Sequence, residues 1–158
     1  MPLDPAKFRS VLGRFASGVT VVTIRDAQGV DRGMTVSAFC SLSLSPPLIL
    51  VCIDHTAEMY DALGEVEQLA VNILEAGQEA ISRRFAEHVG DRFEGIGYSR
   101  GVTGAPLISD ALAHLECTIV TRHPGGDHTI YVGEVVAAHA MQERPLLYYR
   151  GGYTQLER

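Results

Sequence analysis

Residues 33–53 read GMTVSAFCSLSLSPPLILVCI, and this run contains no charged side chain. An uncharged run of this length suggests a membrane span. However, apolar and hydroxyl side chains largely alternate from Met34 to Ser45, which is the period of a strand. The following Pro46-Pro47 pair and the many hydroxyl groups argue against a lipid-facing helix. The run therefore predicts one long strand over 34–45 and a fully buried strand over 48–53.

The flanking sequence shows the same preference for strands. β-Branched residues 19–24 predict a strand, which a turn at 26–29 joins to the long strand as a hairpin. Further strands are predicted over 69–74 and 145–149, and a Pro-Gly-Gly-Asp turn joins 115–121 to 129–138 as a second hairpin. Helices are predicted from an Asp4 cap to near Gly18, over 56–63 and over 78–85, with an irregular loop over 90–106. These elements predict a mainly β fold, a closed or nearly closed β-barrel with short helices, because closure removes exposed sheet edges.

Length and composition exclude several classes of protein. The 158 residues fit a single domain, 1–158, large enough to form a core without disulfides or a metal. A net charge of −6 argues against a nucleic-acid partner, which requires a basic surface. The three cysteines form no CxxC pair and lie in apolar runs, so we expect them to be buried, with no metal site. The first residues lack the features of a signal peptide, which predicts a cytoplasmic location and no membrane association.

Familiar catalytic motifs occur only in incomplete form. Residues 95–101 read GIGYSRG, which misses the dinucleotide fingerprint GxGxxG by one residue and follows no predicted strand. The same residues match GxSxG, but the glycines and proline that follow cannot form the helix that a nucleophile elbow requires. His114 and Glu116 resemble part of a zinc deaminase signature without its cysteine pair. We expect them to be a solvated surface pair on one face of a strand.

Three other features point to a ligand. The polar face of strand 35–45 carries hydroxyl groups and no charge, which suits a flat ligand, although a serine-rich strand under a subunit partner would look alike. The adjacent arginines in the segment 82–85 (SRRF) can bind phosphate, or can belong to a solvated helix face. At the second hairpin, Gly125 and Gly126 allow a ligand to approach the backbone, and Asp127 can orient His128 for a structural or a functional role.

The chain as a whole resembles a known family from about residue 8 to residue 153. The segments that carry the resemblance are FASGVTVVT (15–23), GMTVSAF (33–39), SLSPPL (43–48), SRRFA (82–86), GDHTIYVGE (126–134) and PLLYYRGGY (145–153). They look like the short-chain flavin reductases, the reductase components of two-component flavin-dependent monooxygenases, such as the reductase partner of 4-hydroxyphenylacetate hydroxylase.

This resemblance implies an FMN-binding split barrel with Greek-key topology that works as a homodimer. It also implies that NADH or NADPH reduces FMN or FAD by hydride transfer, and that free reduced flavin passes to a separate monooxygenase component. A non-catalytic flavin-binding or electron-carrier protein on the same barrel remains an alternative. A barrel that binds another flat ligand is a third possibility.

The resemblance also implies roles for individual residues. Residues 34–38 would border the isoalloxazine ring of the flavin, with Ser41 beside it. Residues 54–56 would line the ribityl and phosphate side of the flavin, and residues 82–85 would anchor its phosphate. His128, the implied catalytic residue, would face the nicotinamide, and the segment 148–153 would close that pocket. The cofactor-binding residues implied in this way are Met34, Thr35, Val36, Ser37, Ala38, Ser41, Asp54, His55, Thr56, Ser82, Arg83, Arg84, Phe85, Tyr149, Arg150 and Tyr153.

Overall fold

The computed structural model of the chain describes residues 1–87 and 90–157. Its helices are α1 (Pro5–Leu12), α2 (Tyr60–Gly64) and α3 (Glu79–Ala86). Its strands are β1 (Ser17–Gly18), β2 (Thr20–Arg25), β3 (Asp31–Val36), β4 (Phe39–Ser43), β5 (Leu48–Asp54), β6 (Gln68–Ile73), β7 (Tyr98–Arg100), β8 (Pro106–Ile108), β9 (Ala113–Gly125), β10 (His128–Ala140), β11 (Leu146–Tyr149) and β12 (Gly152–Gln155). Strands make up 48% of the chain and helices 14%, which confirms the predicted mainly β class.

Seven strands form the main sheet in the order β3-β2-β6-β9-β10-β5-β4, with every neighbouring pair antiparallel. The edge strands β3 and β4 follow each other in the chain and are joined only by Ser37 and Ala38. A flat sheet of seven strands would separate its edges by about 29 Å, whereas such a link spans only about 10 Å. The sheet must therefore curl until its edges approach at this link.

No strand pairing joins β3 to β4 among the described residues, so the sheet does not close by hydrogen bonds along this seam. The closed form of the predicted barrel is not observed, because each edge strand pairs only with the neighbour inside its own hairpin. Neighbouring strands that are distant in the chain, β2 with β6 and β5 with β10, are consistent with Greek-key connections.

Strand β2 is buried on both faces and separates two apolar clusters. Its alternate side chains Val22 and Ile24 belong to the main core inside the curled sheet, which also contains Val51, Ile53, Leu63, Leu69, Val71 and Tyr131. Val19 and Val21 belong to a second cluster on the outer face, with Leu74, Phe85, Phe93, Ile108 and Leu146. This second cluster fixes α3 and the β11–β12 hairpin against the sheet.

The long strand predicted over 34–45 is two strands, β3 and β4, separated at Ser37 and Ala38. The Phe39 N–H donates to the Ser37 carbonyl at 2.9 Å, which turns the chain. The turn is required because β3 pairs with β2 while β4 pairs with β5. The uncharged run thus folds as β-structure, and no helix among the described residues is long and apolar enough to cross a membrane.

Helix α1 is shorter than predicted. Asp4 caps it through bonds from the Ala6 and Lys7 N–H groups and Pro5 occupies its first turn, as predicted, but the helix ends at Leu12 and not near Gly18. The chain leaves the helix at Gly13 because Ser17 and Gly18 pair with β11. The second predicted helix also differs, since α2 begins at Tyr60 after a turn in which Asp54 bonds to the N–H and hydroxyl groups of Thr56.

Two predictions of burial are wrong: Glu116 was expected at the surface and Cys40 in the interior, and the structure shows the reverse. Glu116 is buried and accepts hydrogen bonds from the Thr103 N–H at 3.0 Å and its hydroxyl at 2.9 Å. The loop predicted over 90–106 folds over this carboxylate, and its Tyr98–Arg100 segment pairs with β8. Cys40 is exposed because it lies on the edge strand β4, whereas Cys117 is buried in β9. Burial, with a smaller effect of Glu116, raises the pKa of the Cys117 thiol to about 12.

Candidate active site

A cleft of 210 Å³ lies between β3, α3 and the β11–β12 hairpin. Four of the residues that line it were predicted from the sequence: Thr35, Ser37, Ser82 and Tyr153. The lining also includes Val19, Ala86 and Tyr148. Segments that lie more than a hundred residues apart in the chain thus meet in one cavity.

Hydrogen bonds fix the polar wall of this cleft. The Thr35 hydroxyl donates to the Ser82 carbonyl at 2.6 Å, which ties β3 to α3. The Ser82 hydroxyl is bonded to the Tyr153 hydroxyl at 2.8 Å, which ties α3 to β12. The Ser37 hydroxyl has no partner among the described residues, so it is available to a ligand.

Strand alternation separates the predicted residues of β3 into two groups. Val36 is buried in the main core, and Met34 packs against the same core. Thr35 therefore faces the opposite side, toward the cleft. Ala38 is exposed at the link between the two edge strands, and Ser41 is exposed farther along β4.

The two adjacent arginines of α3 have different partners. The Arg83 guanidinium lies over the Tyr153 ring at 4.9 Å from its centroid and pairs with Glu79 at 2.7 Å. That hydrogen bond to Glu79 raises the pKa of Arg83. Arg84 instead donates to the carbonyls of Arg92 and Asp91 at 2.7 and 2.9 Å. Its guanidinium holds the segment that follows α3.

Phe85, the last residue of the predicted phosphate segment, is buried in the second apolar cluster. Its ring meets Phe93 edge to face, with centroids 5.0 Å apart. It also lies against Gly33, where an added Cβ would come within 2.8 Å of the Phe85 ring. Phe85 therefore packs α3 against β3 beneath the cleft and does not line the cleft itself.

On the hairpin, Tyr148 and not Tyr149 lines the cleft. The reason is the alternation of side chains on β11, where Tyr148 is paired with Tyr153 and Tyr149 with Gly152. The Tyr148 and Tyr153 rings meet at 66° with their centroids 5.3 Å apart. Arg150 lies in the turn beyond them, outside the cleft.

His128 and the predicted residues after β5 meet at a second place, one end of the main sheet. His128 begins β10 directly opposite Asp54. Its Nδ1 atom bonds to Asp127 at 2.7 Å, and hydrogen bonds from the Thr56 N–H and hydroxyl lower the pKa of Asp54, with a smaller contribution from His128. The His55 Nε2 atom bonds to the Thr129 hydroxyl at 3.0 Å.

The link between β3 and β4 connects the two places. The Ala38 carbonyl accepts a hydrogen bond from the Cys52 N–H at 3.0 Å, so this link lies beside β5 just before Asp54. Ser37 lines the cleft on the other side of the link. A ligand that follows the link from the cleft runs toward the His128 end of the sheet.

The groups present fit a flavin. Hydroxyls suit the polar edge of an isoalloxazine ring, aromatic side chains suit its faces, and an exposed guanidinium suits its phosphate. The cleft provides the first two in Ser37 and the tyrosine pair, and Arg83, stacked on the Tyr153 ring, provides the third beside it. Among the described residues, no group of three or more His, Cys, Asp or Glu side chains could hold a metal ion.

Fold and cleft together define a curled β-sheet with a cleft whose groups suit a flat, anionic cofactor. The family model of the flavin reductase like domain matches residues 12–157, so the chain belongs to that family.

Similar proteins share most of their length with this chain. The NADH-dependent FAD reductase of Streptomyces globisporus is 44% identical over 156 residues, which cover 96% of this chain and 85% of that protein. The reductase subunit HsaB of a flavin-dependent monooxygenase from Rhodococcus jostii (strain RHA1) is 39% identical over 156 residues, which cover 98% of this chain and 80% of that protein. The crystal structure of the NADH:FAD oxidoreductase SgcE6 of S. globisporus C-1027, in complex with NAD and FAD fragments, matches with a TM-score of 0.92 at 42% identity, over 99% of this chain and 96% of that chain.

These findings confirm the predicted family and the predicted activity, that of an NAD(P)H-dependent flavin reductase. They also confirm flavin and nicotinamide as the cofactors, and they do not favour the non-catalytic carrier. The roles of the individual site residues stay predictions. Tyr148 could have been found by applying strand alternation to the tyrosines of β11, whereas nothing in the sequence distinguishes Val19 or Ala86.

Proposed function

We propose that the cleft binds the flavin and that NADH reaches it from the His128 end of the sheet. The observation that carries this proposal is the meeting of Thr35, Ser37, Ser82 and Tyr153 in one cavity, with Arg83 stacked on the tyrosine. We propose FAD and NADH as the pair, because similar proteins are named NADH-dependent FAD reductase and NADH:FAD oxidoreductase.

The chain contributes position and charge to the reaction. Flavin and NADH supply the hydride chemistry when they are bound. Thr35 and Ser82 are already fixed by their own hydrogen bonds, which holds the wall of the cleft in place before a ligand arrives. Ser37 and the backbone of the β3–β4 link are left to bind the polar edge of the isoalloxazine ring.

Arg83 is assigned to the flavin phosphate. Its pair with Glu79 is exposed on both sides, and exposed pairs of this spacing contribute only about 0.3–0.5 kcal/mol. A phosphate group, which accepts two parallel bonds from a guanidinium, therefore competes successfully with Glu79. The stacking of Arg83 on Tyr153 keeps the guanidinium close to the cleft.

His128 is assigned to the nicotinamide. Its bond to Asp127 occupies Nδ1 and leaves Nε2 without a partner among the described residues. When the ring is neutral and Nδ1 carries the proton, Nε2 is an acceptor that can bind a carboxamide N–H group. The reaction itself needs no proton transfer by this side chain, so His128 orients the reductant.

We propose that the reduced flavin leaves and serves a separate monooxygenase component in the cytoplasm, where NADH is available. Similar proteins are named reductase subunit HsaB and reductase component of a 4-nitrophenol monooxygenase. Ser37 in the cleft lining is exposed, as are Ala38 and Arg83 beside it, and this exposure supports release, because a flavin bound there is not enclosed.

We propose that the active form is a homodimer. Helix α1 has no buried residue, and its apolar side chains Phe8, Val11 and Leu12 are exposed, as is Phe15 after it. Leu44, after the edge strand β4, is 92% exposed. The apolar side chains grouped on and after α1 mark an interaction surface, and a second copy of the chain is its proposed occupant.

The experiment that tests the activity follows NADH oxidation by absorbance at limiting protein, with FAD, with FMN and without flavin. We expect flavin-dependent oxidation that is faster with NADH than with NADPH. A protein that binds flavin but never consumes NADH would be a carrier, and a protein that does neither would contradict the assignment of the cleft.

A further inference from the structure

Three arginines surround a hollow of 380 Å³ that is separate from the cleft. Arg9 and Arg14 come from the end of α1 and the residues that follow it, and Arg150 comes from the turn between β11 and β12. The two segments are fixed to each other, because the Arg150 N–H donates to the Gly13 carbonyl at 3.0 Å. A Cβ at Gly13 would lie 3.7 Å from the Arg150 Cα, so the backbones are in close contact.

These guanidinium groups lack the partners that other arginines of the chain have. Arg32, Arg83 and Arg100 each lie within 2.7 Å of a carboxylate oxygen. Around the hollow, no carboxylate of the described residues lies within ion-pair distance of any of the three arginines. In a chain with a net charge of −6, this concentration of unpaired positive charge is unusual. Guanidinium stays charged at every relevant pH, so the hollow attracts anions.

The backbone at Arg150 provides a second observation. Arg150 has a φ of +52° and Gly151 a φ of +78°, so both central residues of the turn are left-handed. Such turns favour Asn or Gly at the first of these positions, because a Cβ crowds the backbone there and only Gly, or a short polar side chain that bonds locally, adopts this conformation readily. A strained arginine that is delivered to a group of arginines indicates a functional position. The carbonyl end of α1 attracts cations, but it accounts for Arg9 and not for Arg150.

We propose that Arg9, Arg14 and Arg150 bind the adenylate phosphate of a dinucleotide cofactor that reaches the cleft. The inference rests on the proposed function, which assigns the flavin's ribityl phosphate to Arg83. Tyr148, in the wall of the cleft, is two residues before Arg150, or about 7 Å along the strand. The hairpin therefore presents an aromatic pair at one position and a cationic turn at the next. This combination suits a dinucleotide, which carries a second phosphate, and exceeds what FMN, with one phosphate, can use.

The test compares three full-length variants. Arg9→Gln combined with Arg14→Gln removes two charges, and Arg150→Gly removes the third while relieving the strain of the turn. Arg144→Gln is the matched control, since it removes an exposed arginine whose one bond is a 3.5 Å contact with the Glu157 carbonyl. The dissociation constants of FAD and FMN are measured by quenching of flavin fluorescence. The KM for NADH is measured with saturating FMN, so that no adenylate comes from the flavin.

We expect the double variant to raise either the FAD dissociation constant or the KM for NADH about tenfold, because charge-assisted bonds to the phosphate of the bound dinucleotide are lost. Arg150→Gly should weaken it severalfold, and FMN affinity should change less than twofold in every variant. A change in the FAD constant assigns the hollow to FAD, and a change in the NADH KM assigns it to NADH. Inorganic diphosphate should compete with that dinucleotide more strongly in the wild-type protein than in the double variant, whereas its competition with FMN, at Arg83, should be equal in both.

Two results would overturn the inference. One is unchanged FAD affinity and NADH KM in variants that still reduce FMN. The other is a loss of the dimer in the same variants, since the arginines would then pair with carboxylates of a second copy. Failure of the proposed function gives a different result, because the wild-type protein would then show no flavin-dependent NADH oxidation at all.

Discussion

Neighbouring residues of α3 divide the work of binding and support. Arg83 is exposed beside the cleft, Arg84 holds two backbone carbonyls, and Ser82 and Phe85 are buried. One turn of helix separates the side chains in this way because residues at successive positions point about 100° apart. The pair of arginines that looks uniform in the sequence therefore has two functions.

The first prediction separates these functions by substitution. Arg83→Gln should weaken flavin binding about tenfold, because one charged bond to phosphate is lost, with little change in thermal stability. Arg84→Gln should lower the melting temperature by a few degrees, because the two carbonyls of Asp91 and Arg92 lose their donor. Fluorescence quenching and thermal melts measure the two effects. Equal flavin affinity in Arg83→Gln and the wild type would refute the phosphate role.

The second prediction concerns His128. His128→Ala should raise the KM for NADH severalfold and leave kcat within about twofold. The variant loses a group that orients the nicotinamide, but it loses no group that transfers a proton. Steady-state kinetics at saturating flavin measure both constants. The control is His123→Ala, at an exposed histidine on β9, the other strand of the same hairpin. Kinetics identical to those of the wild type would remove His128 from the site.

At the scale of elements, the contact between β3 and α3 depends on a missing side chain. Gly33→Ala would place a Cβ 2.8 Å from the Phe85 ring, inside a packed cluster that cannot yield freely. We expect a loss of about 1–3 kcal/mol in the free energy of unfolding, measured by urea denaturation. Gly64→Ala, where no atom lies within 4 Å, is the control and should cost nothing measurable. Equal stability of the two variants would show that α3 is free to move away from the sheet.

The turn between β2 and β3 depends on one carboxylate. Asp26 accepts bonds from the Gln28 and Val30 N–H groups and from the Arg32 guanidinium, which lies 2.6 Å away. The bond from Arg32, followed by that from Val30, lowers the pKa of Asp26 below 3.8. A carboxylate with a lowered folded pKa stabilises the fold above its ordinary pKa, and this stability is lost as the pH falls through the folded value.

Asp26→Asn should therefore reduce stability at pH 7, and the difference from the wild type should shrink as the pH falls below 3.8. Chemical denaturation between pH 7 and pH 2.5 measures this difference. Asp110→Asn is the control, because no side-chain hydrogen bond of Asp110 occurs among the described residues. A difference that stays constant with pH would mean that the charge of Asp26 contributes nothing.

At the scale of the molecule, the exposed apolar surface of α1 predicts assembly. Leu12→Glu with Phe15→Glu should convert the dimer to monomers, since it places four charges in one two-fold interface. Sedimentation equilibrium measures the change, and Val102→Glu, on an exposed loop, is the control. A wild-type protein that is monomeric at micromolar concentration would refute the homodimer.

The sequence predicted the elements well where periodicity alone sets them. The alternation in 34–45, the β-branched run of β2 and the turn before His128 each lead to the observed strand or hairpin. Periodicity could not locate the break at Ser37, because both halves of the run keep the strand pattern and only the pairing partners differ. The burial of Glu116 likewise depends on a distant loop that supplies its hydrogen-bond donors.

The candidate site was predicted in part for a related reason. Thr35, Ser37, Ser82 and Tyr153 stand in segments that resemble the family, and the structure brings them into one cleft. Which of two neighbours faces that cleft depends on the exact register, as Tyr148 and Tyr149 demonstrate. The different partners of Arg83 and Arg84 depend on the position of the chain after α3, which no local pattern encodes.

The strand order also constrains how the chain can fold as it leaves the ribosome. The hairpin of β9 and β10 lies between β6 and β5 in the sheet, although it follows both of them in the chain. Until residue 140 has been synthesised, β2, β3 and β6 on one side and β4 and β5 on the other have no strand to connect them. Contacts of such long sequence separation form slowly. The two halves of the main sheet therefore stay unjoined until this hairpin has been synthesised, and its insertion between β6 and β5 completes the main sheet.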